Sequence, residues 1–79
     1  MKTEDRYLKF VRWNDEDGIY VGYCPDLFPW GGVCHATTEE DAYHQLRVLV
    51  REEIQSLQSE AKELPHPDTR PMREVESVA

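Results

Sequence analysis

No stretch of the 79 residues approaches the roughly 18 consecutive apolar residues of a membrane-spanning helix, and the opening Met-Lys-Thr-Glu-Asp does not read as a signal peptide. Cysteine is scarce. Cys24 and Cys34 are too few and too widely spaced to form a disulfide framework, and in a chain read as intracellular they are expected to be reduced, packed thiols. Cations are outnumbered, with 9 Lys and Arg against 16 Asp and Glu and a net charge of −7. Such a chain is repelled by phosphate backbones, which argues against direct nucleic-acid binding. The length excludes a second folded domain and makes the first one marginal, because a chain this short buries only about 60% of its unfolded surface. Disorder is excluded by what is present: two Trp, four Tyr and two Phe are too many aromatics for an unfolded polar chain, even with 32% charged residues. The expectation is a cytoplasmic, soluble, acidic single domain with no membrane contact.

Residues 7–13, rich in aromatic and β-branched side chains, predict a strand. Asn14-Asp15-Glu16-Asp17-Gly18 is a run of Asx-type residues closed by a glycine, and it predicts a hairpin loop of about five residues. Residues 19–24 are then the returning strand, with Ile19, Val21 and Tyr23 on one face and Tyr20, Gly22 and Cys24 on the other. Gly22 in mid-strand predicts a close approach by a backbone or an aromatic ring. Two prolines and two glycines make residues 25–32 an ordered loop, and residues 33–36 a short third strand. Thr38, followed by Glu39, Glu40 and Asp41, caps a helix. Behind the cap, Ala42, Tyr43, Leu46, Leu49, Val50, Ile54 and Leu57 recur at three- and four-residue steps as one apolar stripe. The helix fades through residues 58–63, and Leu64-Pro65 ends it. Residues 72–78 alternate weakly and read either as a fourth strand or as a frayed tail. The fold class is therefore α+β: a three-stranded antiparallel sheet with one long helix on one face. One helix leaves the second face or an edge uncovered, so a homo-oligomer, dimer or tetramer, is expected.

The order Gly18-Ile19-Tyr20-Val21-Gly22-Tyr23-Cys24-Pro25-Asp26-Leu27, then a glycine-containing loop, a short strand, Thr38-Glu39-Glu40-Asp41-Ala42 and a long amphipathic helix, resembles the HicB-like antitoxin domain. The Leu64-Pro65-His66-Pro67 stretch matches that family's proline-rich exit, so the resemblance spans residues 6–68. The domain division that follows is 1–68 for the HicB-like unit and 69–79 for a tail or short strand. The sequence departs from the family in the loop, where Phe28-Pro29-Trp30-Gly31-Gly32 replaces the usual Pro-Gly-Cys. Many members also continue into a DNA-binding segment. The resemblance here is to a stand-alone form, with DNA binding absent or supplied by another chain. What it implies is a degenerate RNase H-like fold without catalysis that binds and neutralises a small basic toxin protein that cleaves RNA. Charge agrees from a separate direction, since an acidic domain can compete with RNA for a basic surface.

The chemistry-bearing residues favour binding over catalysis. A zinc site wants paired ligands at short spacing, whereas Cys34 and His35 are neighbours in a strand and point to opposite faces, so no metal and no cofactor are expected. A nucleophilic cysteine wants a neighbouring histidine and a positive environment that Cys24 does not have. A two-metal nuclease site needs converging carboxylates, and the hairpin and cap carboxylates already have structural roles. The expected partner-binding set is Asp26, Leu27, Phe28 and Trp30 on the ordered loop, because aromatic anchors dominate interface energies. Two alternatives stand beside it: Asp26 as a turn-capping residue, and the apolar trio packed over the helix start. Two functions follow, antitoxin-type sequestration of a small basic RNA-cleaving toxin, or a stand-alone oligomeric interaction module with no toxin.

Overall fold

The computed structural model describes residues 2–68. A 3₁₀ turn, Thr3–Arg6, leads into three strands, β1 (Phe10–Asn14), β2 (Ile19–Tyr23) and β3 (Cys34–Ala36), and one helix, α1 (Glu39–Ser59). The strands form one antiparallel sheet in the order β1-β2-β3, with α1 packed on one face, which is the expected α+β arrangement. The possible fourth strand over 72–78 and the 69–79 tail lie outside the described residues.

The hairpin closes on its own side chains. The Asn14 carbonyl accepts from the Gly18 amide at 2.8 Å, and Asn14 Oδ1 accepts from the Asp17 amide at 3.1 Å. Gly18 adopts φ +65, a left-handed conformation that glycine enters without a Cβ penalty. Asn14 itself pairs with Ile19, so the turn is one residue shorter than the loop expected from sequence. The register that follows puts Phe10 opposite Tyr23, Val11 opposite Gly22 and Trp13 opposite Tyr20, and it carries on to Gly22 opposite Cys34 and Tyr20 opposite Ala36. By alternation, Val11, Trp13, Tyr20, Gly22, Cys34 and Ala36 share one face of the sheet. Phe10, Arg12, Ile19, Val21, Tyr23 and His35 share the other.

The helix covers the face with the smaller side chains, and Gly22 is the reason. A Cβ built on Gly22 would lie 2.8 Å from Cys34 Sγ and 3.3 Å from Leu46 Cβ, so the bare backbone is what lets α1 sit down. Ala42, Leu46, Val50 and Ile54, four residues apart, form the buried line of the helix. Tyr7, Cys24, Leu27 and Phe28 complete the core, with Leu49, Leu57 and Leu64 packed partly exposed at its margin. Tyr43, expected in the apolar stripe, is exposed instead. Thr38 Oγ1 accepts from the Asp41 amide at 3.1 Å, so the N-terminal cap forms where its sequence places it. The C-terminus differs from expectation. Ala61, at φ 58, takes a left-handed conformation, and Lys62 N donates to Leu57 O at 2.9 Å while Ala61 N donates to Gln58 O at 3.1 Å. This pair of bonds satisfies the last carbonyls and stops the helix at Ser59, well before Pro65.

The strand expected from residue 7 begins only at Phe10, because Tyr7 is turned into the core and its hydroxyl donates to Pro65 O at 2.6 Å. Ahead of it, buried Glu4 accepts from Arg51 Nε at 3.1 Å and Nη2 at 3.3 Å, while Lys9 Nζ donates to the carbonyls of Glu4 and Tyr7. The hydrogen bond from Arg51 holds the Glu4 carboxyl below the ordinary carboxylate value, against the opposing effect of burial. A depressed folded-state value contributes stability that is present above the unfolded value, about 4.3 for glutamate, and is lost as pH falls through the folded one. Glu4→Gln should therefore be less stable than the parent at pH 7, and the gap should narrow as pH falls below about 4.3. Thermal melts of both proteins across that range check it, and a gap that stayed constant would remove the ion pair from the account.

Candidate functional site

The loop of residues 25–32 is fixed by its own backbone. The Leu27 and Phe28 amides both donate to the Cys24 carbonyl, at 3.2 and 2.8 Å, and the Gly31 amide donates to Phe28 O at 3.4 Å. This geometry divides the four residues expected at a partner surface. Leu27 and Phe28 are buried and belong to the core cluster, Phe28 at 9% exposure, so they present almost no surface in this chain. For these two the alternative of packing holds, because an apolar pair in a short loop beside a small core gains from burial there. Trp30 is 72% exposed and stands edge-on against the Phe28 ring, with centroids 5.6 Å apart and planes at 76°. Asp26 is half-buried, and its charge adds to the effects that raise the Tyr7 and Cys24 protonation ranges. The loop thus offers one large exposed aromatic on a buried footing.

Neither thiol is poised for chemistry. Burial pushes Cys24 up, and burial also pushes Cys34 up. Both therefore hold their protons at neutral pH, and Cys34 Sγ spends its weak donor on the Ala42 carbonyl at 3.4 Å. His35 and His44 are exposed, on a strand and on the helix. Among the described residues no group of three or more His, Cys, Asp or Glu side chains is arranged to hold a metal ion. No helix among them is long and apolar enough to cross a membrane.

Two further surfaces lie outside the loop: the second face of the sheet, expected from the single helix, and one not read in the sequence. On the sheet face away from α1, Phe10 and Tyr23 stack with centroids 4.9 Å apart and planes 10° from parallel, beside half-buried Ile19 and Val21. The loop reaches over this face at Gly32, where a Cβ would lie against Val21 Cγ1, but does not cover it. On the helix side, Trp13 and Tyr20 meet edge-on at 4.9 Å, and Trp13 and Tyr43 are exposed. Residues 13–46 contain neither Lys nor Arg, but Arg12 lines a cleft with Trp13 and Arg47 one with Tyr43, so no charge signal in the sequence marks the second surface. Comparison with family models, curated proteins and solved structures finds no match to this chain.

Proposed function

We propose that this chain is a non-catalytic, cytoplasmic protein-binding domain of antitoxin type that sequesters a small basic RNA-cleaving protein. The observation that carries the reading is Trp30. An aromatic left in solvent on a loop pinned at Cys24 and seated on a buried phenylalanine has its ordering cost already met, and such side chains supply most of the energy of protein interfaces. The net charge of −7 sets the sign of the partner, and the resemblance to HicB-like domains supplies its class.

The test is a tagged pull-down with salt titrated in the wash, followed by an RNA-cleavage assay on the eluate. A small basic protein should be retained at low salt and released as salt rises, cleave RNA alone, and be inhibited when this chain is added back. Trp30→Ala should weaken that complex by about 2 kcal/mol or more, as removal of an interface anchor does, with the melting temperature nearly unchanged. Unfolding on that substitution, or full retention of the partner, would refute the anchor.

The uncovered Phe10, Ile19, Val21 and Tyr23 face favours a second reading, self-association of the domain with or without a toxin. Sedimentation of the purified chain should then show a dimer or tetramer that Val21→Asp dissociates. A monomer at all concentrations removes this reading.

A further inference from the structure

Residues 2–9 lead into β1 as a strap whose main-chain bonds, among the described residues, are internal. The Asp5 amide donates to Lys2 O at 2.9 Å and the Tyr7 amide to Glu4 O at 3.5 Å, while the sheet ladder begins at Phe10. Side chains hold the strap down instead. Buried Glu4 accepts from Arg51 of α1 at both carboxylate oxygens, at 3.1 and 3.3 Å. Lys9 Nζ folds back on the Glu4 and Tyr7 carbonyls at 2.7 and 3.1 Å, which keeps the strap in shape. Tyr7 carries it into the core, with its hydroxyl on Pro65 O. The cluster that Tyr7 joins contains Cys24, from which the 25–32 loop departs, and the two inward residues of that loop, Leu27 and Phe28. Strap and loop are close enough that the Asp26 charge acts on the Tyr7 hydroxyl and the Lys9 charge on the Cys24 thiol. From Cys24 to Gly31 the loop's described main-chain bonds are internal too. Both segments are therefore seated on the domain by side chains.

We propose that the strap is the clasp of the Trp30 loop: Glu4 and Tyr7 are positioning residues that seat Leu27 and Phe28, and strap and loop open together while α1 and the sheet stay folded. Opening the two segments breaks no described bond of the helix or of the sheet ladder, so it costs less than unfolding the domain, and such segments are the ones that open locally. What closes the clasp is the charge-assisted pair of Glu4 with Arg51 and the burial of the Tyr7 ring. Trp30 stands on Phe28, so it loses its footing in the open form. The fraction of chains with the clasp closed is then the fraction competent to bind through Trp30, and apparent affinity scales with it. Glu4 thus acts on the binding loop through Tyr7.

The clasp rests on the proposed function only for the role of Trp30 as an anchor, and its test needs no partner. Amide hydrogen exchange and NMR relaxation dispersion are measured on the full chain. In the parent, the Leu27 and Phe28 amides should be about tenfold or more less protected than those of Leu46 and Val50, which open only with the whole domain. Glu4→Gln should speed exchange at Leu27 and Phe28 by about three- to tenfold, the effect of losing one charge-assisted contact to a half-exposed arginine. It should also bring millisecond broadening to the Trp30 indole. The Trp13 indole, whose Nε1 donates to Asp15 at 2.7 Å, should not broaden, and the Gly18 amide of the hairpin should keep its rate. Arg51→Lys keeps the charge and loses the paired geometry, so it should give the same pattern at smaller amplitude, and it replaces Glu4→Gln if that variant does not fold. Loop amides as protected as Val50 in the parent, a Trp30 indole unmoved in both variants, or equal broadening at Trp13 would each overturn the clasp. Clasp behaviour in a chain that captures no basic protein refutes the antitoxin reading alone. Capture through Trp30 with a loop indifferent to Glu4 refutes the clasp alone.

Discussion

Leu46→Ala should destabilise the domain by about 2–5 kcal/mol, the range for truncating a fully buried leucine. The side chain is completely inaccessible and sits where α1 comes down on Gly22, with Leu46 Cβ and Cδ2 both close to the strand backbone. Relaxation into the resulting cavity is obstructed on the sheet side, because Gly22 has no side chain to move into it. The loss is severe for a chain of this size, whose total stability is on the order of 4–12 kcal/mol at about 0.05–0.15 kcal/mol per residue. Urea unfolding followed by tryptophan fluorescence measures it, with an unchanged dependence on denaturant as the sign that only stability moved. Leu49→Ala is the internal comparison. Leu49 belongs to the same sequence stripe but lies at the core margin, half-buried, so its loss should be clearly smaller. Equal losses at the two positions would mean that the helix is rotated from the orientation described.

That pair of leucines marks the boundary of what the sequence could tell. The stripe on α1 was legible because its three- and four-residue recurrence leaves few ways to orient a helix, yet periodicity alone could not separate Leu46 and Val50 from Leu49 and Tyr43. Only the sheet beneath does that. The hairpin was legible because Asn14, Asp17 and Gly18 form their turn through neighbours in sequence. The 3₁₀ turn was not read: beyond its local bonds between Lys2 and Asp5, it is tied to the helix by Glu4 to Arg51, a contact across 47 positions that no local stretch announces. The helix end was misplaced for a related reason. Proline advertises a stop, whereas the actual stop is an alanine in a conformation that alanine seldom adopts. In the loop, proline and glycine erase any period, so nothing local distinguishes Phe28, which goes inward, from Trp30, which stays out.

Gly22→Ala should cost about 1–3 kcal/mol, the range for forcing an extra carbon into a packed core. A competing effect runs the other way. Replacing glycine by alanine reduces the freedom of the unfolded chain and stabilises by about 0.4–1 kcal/mol where the native backbone accepts it, and Gly22 does not need a positive φ. The contact distances decide which effect wins. A Cβ 2.8 Å from Cys34 Sγ and 3.3 Å from Leu46 Cβ requires something to shift, and neither neighbour is the free end of a flexible side chain. Cys34 is tethered in β3, with its thiol on the Ala42 carbonyl, and Leu46 Cβ is fixed to the helix. The clash should therefore push α1 away from the sheet, and the two positions should be coupled. Removing the sulfur with Cys34→Ala should recover part of the loss in the double variant, by an interaction energy of about 0.5–3 kcal/mol. Recovery should be incomplete, because the Leu46 contact remains. Equilibrium unfolding of the two single variants and the double one closes the cycle. A neutral or stabilising Gly22→Ala, or strict additivity with Cys34→Ala, would show that the helix does not approach the strand this closely, and the reason given for which face of the sheet is covered would fall with it.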